Sequence, residues 1–369
     1  MPIYPPHFKR ANLFIGSFLE FRLDKQADLA FIFTNQDEAH AFKNISSGIR
    51  YREIILSEEL QCGDKRIINI KKFYGLQRLQ NKYKYIIVLD AETIVVKNIN
   101  LMKMCRKFEK HKILYGNENL ANAEWIYSDS KKFFSLEEQD KIRNELYLWF
   151  NQPCIYICSH LKDFFDKTAL NDLSRRKDEI TKGSFDYYIY MYYLILFCDY
   201  KVKDLDVVAN YAFLETNAFV PQDSRYRKIR FYWSSAATYG FINSGNIFML
   251  MHIDRGLEVL RRKLGLHSAC SRIKNNLSYK IGKCIVEHSF FVLPFYLFEI
   301  IKTYKKNQRI IKYAFAEKLP TLNQYPDYPK ALEMMDSSYY EIGNAFLRGR
   351  GGGGIIFKII FILKVKLRS

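Results

Sequence analysis

Residues 85–90, with the sequence YIIVLD, constrain the fold of this chain more than any other stretch. The run is apolar, rich in β-branched residues and too short for a buried helix, so it predicts a buried strand. Asp90 and Glu92 follow it, separated by the small residue Ala91. The pattern therefore predicts a strand whose carboxyl end carries two carboxylates.

The first half of the chain alternates short apolar runs with helical patterns, as a parallel sheet with crossover helices does. Strands are predicted at residues 28–35, 51–56, 85–90 and 113–116. Between the second and third of these, residues 70–81 predict an amphipathic helix in which Phe73, Leu76 and Leu79 share one face. The order β-α-β-α-β predicts an α/β fold with a mainly parallel sheet and flanking helices.

Polar residues follow two of these strands. Thr34 and Asn35 end the first, and the pair of Asp90 and Glu92 follows the third. Ligands of open α/β sheets bind outside the carboxyl ends of the strands. We therefore expect both groups to face one crevice.

The spacing of Asp90 and Glu92 allows both carboxylates to reach one divalent cation, while Ala91 lets the backbone approach closely. Carboxylate oxygens suit Mn²⁺ or Mg²⁺, and such an ion would balance the charge of a departing diphosphate. The alternative is an acidic pair that begins a loop or caps a helix. Lys71 and Lys72 on the preceding predicted helix favour the metal-diphosphate interpretation.

Residues 85–92, preceded by residues 69–76, resemble the A-type glycosyltransferase fold, which is Rossmann-like. In that family a D-x-D or D-x-E motif holds manganese or magnesium against a nucleotide sugar, which implies metal-binding roles for Asp90 and Glu92. A late histidine often completes the metal shell there, and His252 is the matching candidate. The alternative for His252 is a strand-end histidine with a local hydrogen bond.

The opening residues 2–8 resemble the end of that family's first strand and the loop after it, whose backbone helps to bind the base. The predicted first strand is short. The residues that the resemblance implies for binding the nucleotide sugar are Ile3, Tyr4, Thr34, Asn35, Lys71, Lys72, Asp90 and Ala91.

The stretch from about residue 122 to residue 215 is rich in Tyr and Phe, and we expect it to contact the acceptor. Helices are predicted at 136–150 and 185–197, and a last strand at 247–252. Asp186 stands at the start of the second helix, where such folds often place the general base of an inverting transfer. The alternative is a carboxylate that interacts with the helix dipole, and a retaining mechanism would need no such base. Rival carboxylates are Asp199, Asp204, Asp206 and Glu215.

Beyond residue 255 the composition becomes basic and apolar. The predicted organisation is a catalytic domain at 1–255, with a nucleotide-binding half at 1–120 and an acceptor half at 121–255, and a basic helical extension at 256–369. Residues 272–282 and 319–328 are similar to extensions of bacterial surface-glycan transferases, including lipooligosaccharide sialyltransferases. This resemblance implies a lipid-linked acceptor glycan of lipooligosaccharide, lipopolysaccharide or capsule. Within the extension, residues 279–283 are weakly repeated at 340–344.

The tail, residues 351–369, passes from four glycines into an Ile- and Phe-rich segment. Its cations are Lys358, Lys364, Lys366 and Arg368, and it has no acidic residue. This pattern predicts an interfacial segment on an anionic membrane surface. A basic chain end without a partner is the alternative.

The composition limits the class of binding partner and the cellular compartment that we expect. The formal net charge of +18 implies an anionic partner, but no helix-turn-helix, zinc-finger or RNP signature supports nucleic acid. Seven scattered cysteines suit a reducing compartment, and Cys154 and Cys158 near His160 are interpreted as buried thiols rather than part of a zinc site. No signal peptide is evident, and the apolar runs are shorter than the roughly 20 residues of a spanning helix. We expect a cytoplasmic protein, peripheral to the inner face of the inner membrane.

These patterns predict a metal-dependent glycosyltransferase that moves a sugar from a nucleotide-sugar donor to a lipid-linked surface glycan. The short first strand and the long basic tail suggest an alternative, a catalytically silent membrane-associated scaffold of a glycan assembly complex.

Overall fold

The structure is a computed structural model that describes residues 1–46, 49–91, 93–95, 100–116, 124–142, 154–204, 248–250, 261–262, 264–289, 291–315 and 319–348. The chain divides into two compact units, Met1–Gly256 and Leu257–Ser369. The domain boundary predicted after residue 255 lies beside this division.

The first unit combines helices with short strands. Its helices are α1 Phe8–Glu20, α2 Gln36–Ile45, α3 Ile67–Leu79, α4 Leu101–His111, α5 Glu124–Lys131, α6 Leu136–Lys141, α7 Cys158–Lys167, α8 Leu173–Arg176 and α9 Asp186–Phe197. Its strands are β1 Leu29–Phe33, β2 Tyr51–Ile55, β3 Tyr85–Val88, β4 Thr93–Val95, β5 Ile113–Gly116, β6 Cys154–Ile157, β7 Lys201–Asp204 and β8 Phe248–Leu250. The predicted α/β class is confirmed.

The strands β1 and β2 lie within the predicted strands 28–35 and 51–56, and the helix α2 that connects them was not predicted. The two strands are parallel and in register from Leu29 opposite Tyr51 to Phe33 opposite Ile55. Phe33 and Phe42 of the crossover helix are fully buried and their rings pack together. Burial of such apolar side chains stabilises the crossover against the strands.

The strand β3 does not extend this pair. It pairs antiparallel with β6, from Tyr85 opposite Ile157 to Val88 opposite Cys154. The described strands form four two-stranded sheets, two parallel and two antiparallel, rather than the single mainly parallel sheet that was predicted.

The N-terminal segment explains part of this difference. Pro2 bridges β1 at Ile32 in parallel fashion, and proline has no N–H to donate to a strand on its other side. A cavity of about 450 Å³ separates β1 from β3 and is lined by both strands and by Met1. Every residue of β3 is half-buried.

The helix α9 is apolar on every side and lies in the interior. Its residues from Asp186 to Leu194 are all buried, as expected for a helix without a polar face. Buried tyrosine hydroxyls need hydrogen-bond partners. Tyr190 accepts a hydrogen bond from the Ile157 backbone N–H at 3.1 Å, and Tyr193 donates one to Asp163 at 2.8 Å.

The second unit is helical in its described part. Its helices are α10 Ala269–Lys274, α11 Leu277–Glu287, α12 Leu293–Ala314, α13 Tyr328–Met335 and α14 Ser338–Arg348. The repeated segments lie on α11 and α14, which pack tightly on each other through Gly282 and Gly343. A Cβ atom on Gly282 would overlap the Tyr339 carbonyl, and one on Gly343 would overlap the Ser278 carbonyl. The weak sequence repeat therefore coincides with a repeated packing contact.

Within the described residues, no helix combines the length and the apolar character needed to span a bilayer.

Candidate functional site

The site begins at the N-terminal segment, which runs beside β1. The Met1 ammonium donates to the Ala30 carbonyl at 2.9 Å, and the Ile3 N–H donates to the Ile32 carbonyl at 3.2 Å. A short 3-10 helix, Pro5–His7, follows. The segment therefore ends beside the carboxyl end of β1, where Thr34 and Asn35 lie.

Thr34 and Asn35 are tied to the start of α2. The Thr34 backbone N–H and hydroxyl both donate to the Glu38 carboxylate, at 2.7 and 2.9 Å. The Asn35 side chain accepts a hydrogen bond from the Glu38 N–H at 2.9 Å and caps the helix. The structure thus gives both residues a helix-capping role beside the predicted site.

Lys71 joins this group to the N-terminal segment. Its side chain is only 2% exposed, and its Nζ atom donates to the Ile3 carbonyl at 2.7 Å and lies 3.2 Å from Glu38 Oε2. Burial lowers the pKa of Lys71, and Glu38 opposes that shift. The ammonium group is thus held inside the fold by two oxygens.

Lys72, the next residue, contacts two carboxylates other than Glu38. Its Nζ atom lies 3.0 Å from Asp90 Oδ1 and 3.3 Å from Asp186 Oδ1. Burial acts to lower the pKa of Lys72, but the two carboxylates, Asp186 foremost, raise it above its usual range. Lys72 therefore stays charged and bridges two residues that are far apart in sequence.

Asp90 is the accessible member of this group. Its side chain is 34% exposed, whereas Lys72 is 5% and Asp186 is 1% exposed. The next residue, Ala91, is buried in the same apolar cluster as Ile3. The chain that follows β3 therefore lies beside the N-terminal segment. That Thr34 and Asn35 share one crevice with Asp90 and Glu92 stays a prediction.

Asp186 is buried at the first turn of α9. The Tyr156 hydroxyl donates to its Oδ2 atom, while Oδ1 faces Lys72. Burial and the neighbouring Asp186 raise the pKa values of the Tyr156 hydroxyl and the Cys154 thiol well above their usual values. Asp186 therefore lies close to Lys72, to the Tyr156 hydroxyl and to the Cys154 thiol.

The charge of Asp90 also affects the pKa values of two further groups, the Met1 ammonium and His7. Burial lowers the pKa of the Met1 ammonium to about 5, opposed by Asp90. Burial and Arg10 lower the pKa of His7, again opposed by Asp90. The His7 Nε2 atom lies 2.9 Å from the Tyr4 hydroxyl. The Tyr4–His7 loop therefore borders the predicted site.

Glu92 and His252 lie outside the described residues, but their chain neighbours are placed. Thr93 of β4 pairs with Leu250 of β8 in an antiparallel register, and the Thr93 N–H donates to the Asp90 carbonyl at 3.1 Å. The pairing brings the chain that precedes His252 beside the chain that follows Asp90.

Few of the described residues could bind a metal ion at this site. Among the described residues, no group of three or more His, Cys, Asp or Glu side chains could hold a metal ion. Asp90 supplies a hard oxygen donor of the type that Mn²⁺ and Mg²⁺ prefer, although one of its oxygens already contacts Lys72. The other two predicted ligands, Glu92 and His252, are not among these residues.

Cys154 and Cys158, which lie near His160 in the sequence, are free thiols. The His160 Nδ1 atom lies 3.8 Å from the Cys198 Sγ atom. Burial raises the pKa of Cys158 to about 11. A neutral thiol is a poor zinc ligand.

Sequence reasoning missed three residues that border the site, Glu38, Tyr156 and His7. A local signal exists for Glu38, because T-N-x-x-E before an apolar pattern is a helix-start signature. No local pattern marks the contact of Tyr156 with Asp186, since the two residues lie on different elements.

A protein family matches the C-terminal part of the chain. Residues 235–368 are similar to a family described as a domain of unknown function (DUF8374). The match spans most of the second unit and the end of the first, and its description names no activity. No curated protein and no solved structure matches the chain.

Proposed function

We propose that the first unit is a glycosyltransferase of the A-type, Rossmann-like fold that binds a nucleotide-sugar donor at the carboxyl ends of β1 and β3. One observation carries the proposal. Asp90, predicted from a strand-end motif, and Asp186, predicted from the start of an aromatic helix, contact the same ammonium group of Lys72. In open α/β sheets ligands bind outside the carboxyl ends of the strands, and Asp90 follows the carboxyl end of β3.

The donor would lie on the exposed side of Asp90. The Tyr4–His7 loop borders this point from the N-terminal segment, and the backbone of Ile3 and Tyr4 would contact the base. Lys71 and Lys72 are both engaged by protein oxygens, so we propose that they act on the diphosphate through the field they create rather than by direct contact.

Asp90, Glu92 and His252 would hold Mn²⁺ or Mg²⁺. The ion would supply positive charge to the leaving diphosphate. The pairing of Thr93 with Leu250 supports this ligand set, because it brings together the two chain segments that lead to Glu92 and His252.

Asp186 would act first as a positioning residue. Its burial and its contacts with Lys72 and Tyr156 fit a carboxylate that holds Lys72 beside Asp90. Its role as the general base of an inverting transfer stays a prediction, since a base must reach the acceptor hydroxyl.

The acceptor would be a lipid-linked oligosaccharide of the cell surface, met at the inner face of the bacterial inner membrane. The tail 351–369, which lies outside the described residues, would bind anionic lipid there. No nucleic acid partner is proposed.

A silent scaffold is the second candidate, and one observation favours it. Lys72 already supplies a positive charge to Asp90 at 3.0 Å. A resident ammonium beside a metal-binding carboxylate would weaken cation binding by like-charge repulsion.

The donor site is tested by thermal melts of the full chain with Mn²⁺ and each of UDP, GDP, ADP and CDP. A ligand that binds only the folded state raises the melting temperature. We expect one diphosphate to do so with Mn²⁺ and not without it, and Asp90→Ala to abolish the shift. Glu137→Gln is the matched control, because Glu137 is an exposed carboxylate on α6. Equal shifts in Asp90→Ala and wild type would rule the site out.

The scaffold is separated from the enzyme by turnover. We expect the wild-type chain with Mn²⁺ to hydrolyse slowly the sugar nucleotide whose diphosphate stabilises it. Binding without any release of diphosphate over long incubation would favour the scaffold.

A further inference from the structure

The helix α12 of the second unit carries an unusual outer face. Phe291, just before the helix, is 86% exposed, and Phe295 and Phe298 are 77% and 64% exposed. Five of the nine exposed large hydrophobic residues in the described part of the chain fall within residues 291–298. Contiguous exposed apolar patches mark interaction sites.

The helix spacing separates this face from the core. Leu293, Leu297 and Ile301, four residues apart, pack in the core of the unit. Phe291, Phe295 and Phe298 lie on a different side, at spacings of four and three residues. One side of the helix therefore packs in the core of its unit. The opposite side, where polar side chains are expected, carries large aromatic side chains instead.

Cationic residues continue the same face toward the end of the helix. Lys302 follows Phe298 by one turn, with its Nζ atom 5.7 Å from the Phe298 ring centroid. Lys305 and Arg309 come next and are exposed. The acidic residue of α12 is Glu299, which pairs with Lys302 at 3.2 Å.

We propose that this face of α12, Phe291 to Arg309, docks the second unit on an anionic phospholipid bilayer. The phenylalanines enter the boundary between headgroups and acyl chains, and the cations contact lipid phosphates. Aromatic residues at one end and cations along the same side are the pattern of an interfacial helix. The net charge of +18 adds attraction to an anionic surface.

This surface consists of residues outside the tail 351–369, and the docking proposal does not depend on the proposed enzyme activity. A vesicle assay measures no turnover and no nucleotide binding. Failure of the Asp90 test therefore leaves the docking proposal standing, and failure of docking leaves the donor site standing.

The test is cosedimentation of the full chain with vesicles of phosphatidylcholine and phosphatidylglycerol, and with vesicles of phosphatidylcholine alone. We expect Phe295→Ser and Phe298→Ser each to weaken partitioning about tenfold, because each removes the burial of a large apolar side chain. Lys302→Glu should weaken binding to the anionic vesicles at least fivefold and change binding to neutral vesicles little. Leu136→Ser, at an equally exposed apolar residue on α6, should match wild type.

Two further variants keep the outcome decisive. Phe295→Trp should give a blue-shifted indole emission when anionic vesicles are added, which reports insertion at this position. A chain with Lys358, Lys364, Lys366 and Arg368 changed to Gln should keep its dependence on Phe295. Partitioning by Phe295→Ser and Phe298→Ser equal to wild type would overturn the proposal. Loss of self-association in these variants, with vesicle binding unchanged, would assign the face to a second copy and overturn it as well.

Discussion

At the scale of single residues, Lys72 is the centre of the candidate site. Its ammonium is buried and contacts Asp90 and Asp186. Removing one partner of a buried ion pair leaves an uncompensated charge, which costs more than the pair contributes. The stability of the first unit should therefore depend strongly on this one side chain.

We expect Lys72→Met to lower the free energy of unfolding by about 3–5 kcal/mol, measured by urea denaturation. Lys141→Met is the control, because Lys141 pairs with Glu137 on the exposed surface of α6 and such pairs contribute little. Adding Asp186→Asn to Lys72→Met should recover part of the loss, since the buried charge is then removed. Equal stability of Lys72→Met and Lys141→Met would show that the pair is solvated.

At the scale of elements, the contact between α11 and α14 depends on glycine. Gly282 and Gly343 let the two backbones approach so closely that a Cβ atom on either would overlap a carbonyl oxygen of the other helix. The Ser278 hydroxyl donates to Asn344 Oδ1 at 2.7 Å across the same contact. A methyl group at either glycine must separate the helices.

We expect Gly282→Ala to destabilise the second unit by about 1–3 kcal/mol, the usual cost of overpacking. On an exposed helix the same change stabilises by about 1 kcal/mol, because alanine has the higher helix propensity. Gly63→Ala is the control for an added methyl group, since no atom lies within 4 Å of its Cβ position. A rise in the midpoint of thermal unfolding for Gly282→Ala would contradict the close contact.

At the scale of the whole molecule, the seven cysteines are all free thiols. Burial, with a smaller effect of Glu109, raises the pKa of Cys105 to about 12. Only the thiolate reacts with alkylating agents, so a raised pKa keeps the reactive fraction small at pH 8. The reducing compartment that their scattered spacing suggested stays a prediction.

We therefore expect seven thiols to react in denaturant, and Cys105 and Cys158 to react far more slowly than the partly exposed Cys62 in the native chain. The measurement is mass spectrometry of peptides after timed alkylation. A reductant should leave the unfolding midpoint unchanged, because there is no disulfide to break. A midpoint that falls with reductant would contradict this arrangement.

The sequence by itself was enough for elements set by local pattern. The strands β1, β2 and β3 and the helix α9 lie where periodicity and apolar runs predicted them, since these signals depend on neighbours in the chain. Asp90 was placed at a strand end by the same reasoning. The crossover helix α2 was not predicted. The donor and metal roles of the site residues stay predictions.

Only the tertiary structure decided which elements meet. The antiparallel pairing of β3 with β6, the cavity beside the N-terminal segment and the bridge from Lys72 to Asp186 all join residues far apart in sequence. Such contacts depend on which surfaces remain available after the local elements form, and no local pattern encodes that choice. The orientation of the aromatic face of α12 was likewise not predictable from local sequence. Its spacing is visible in the sequence, but only packing showed that Leu293 faces the core and Phe295 faces outward.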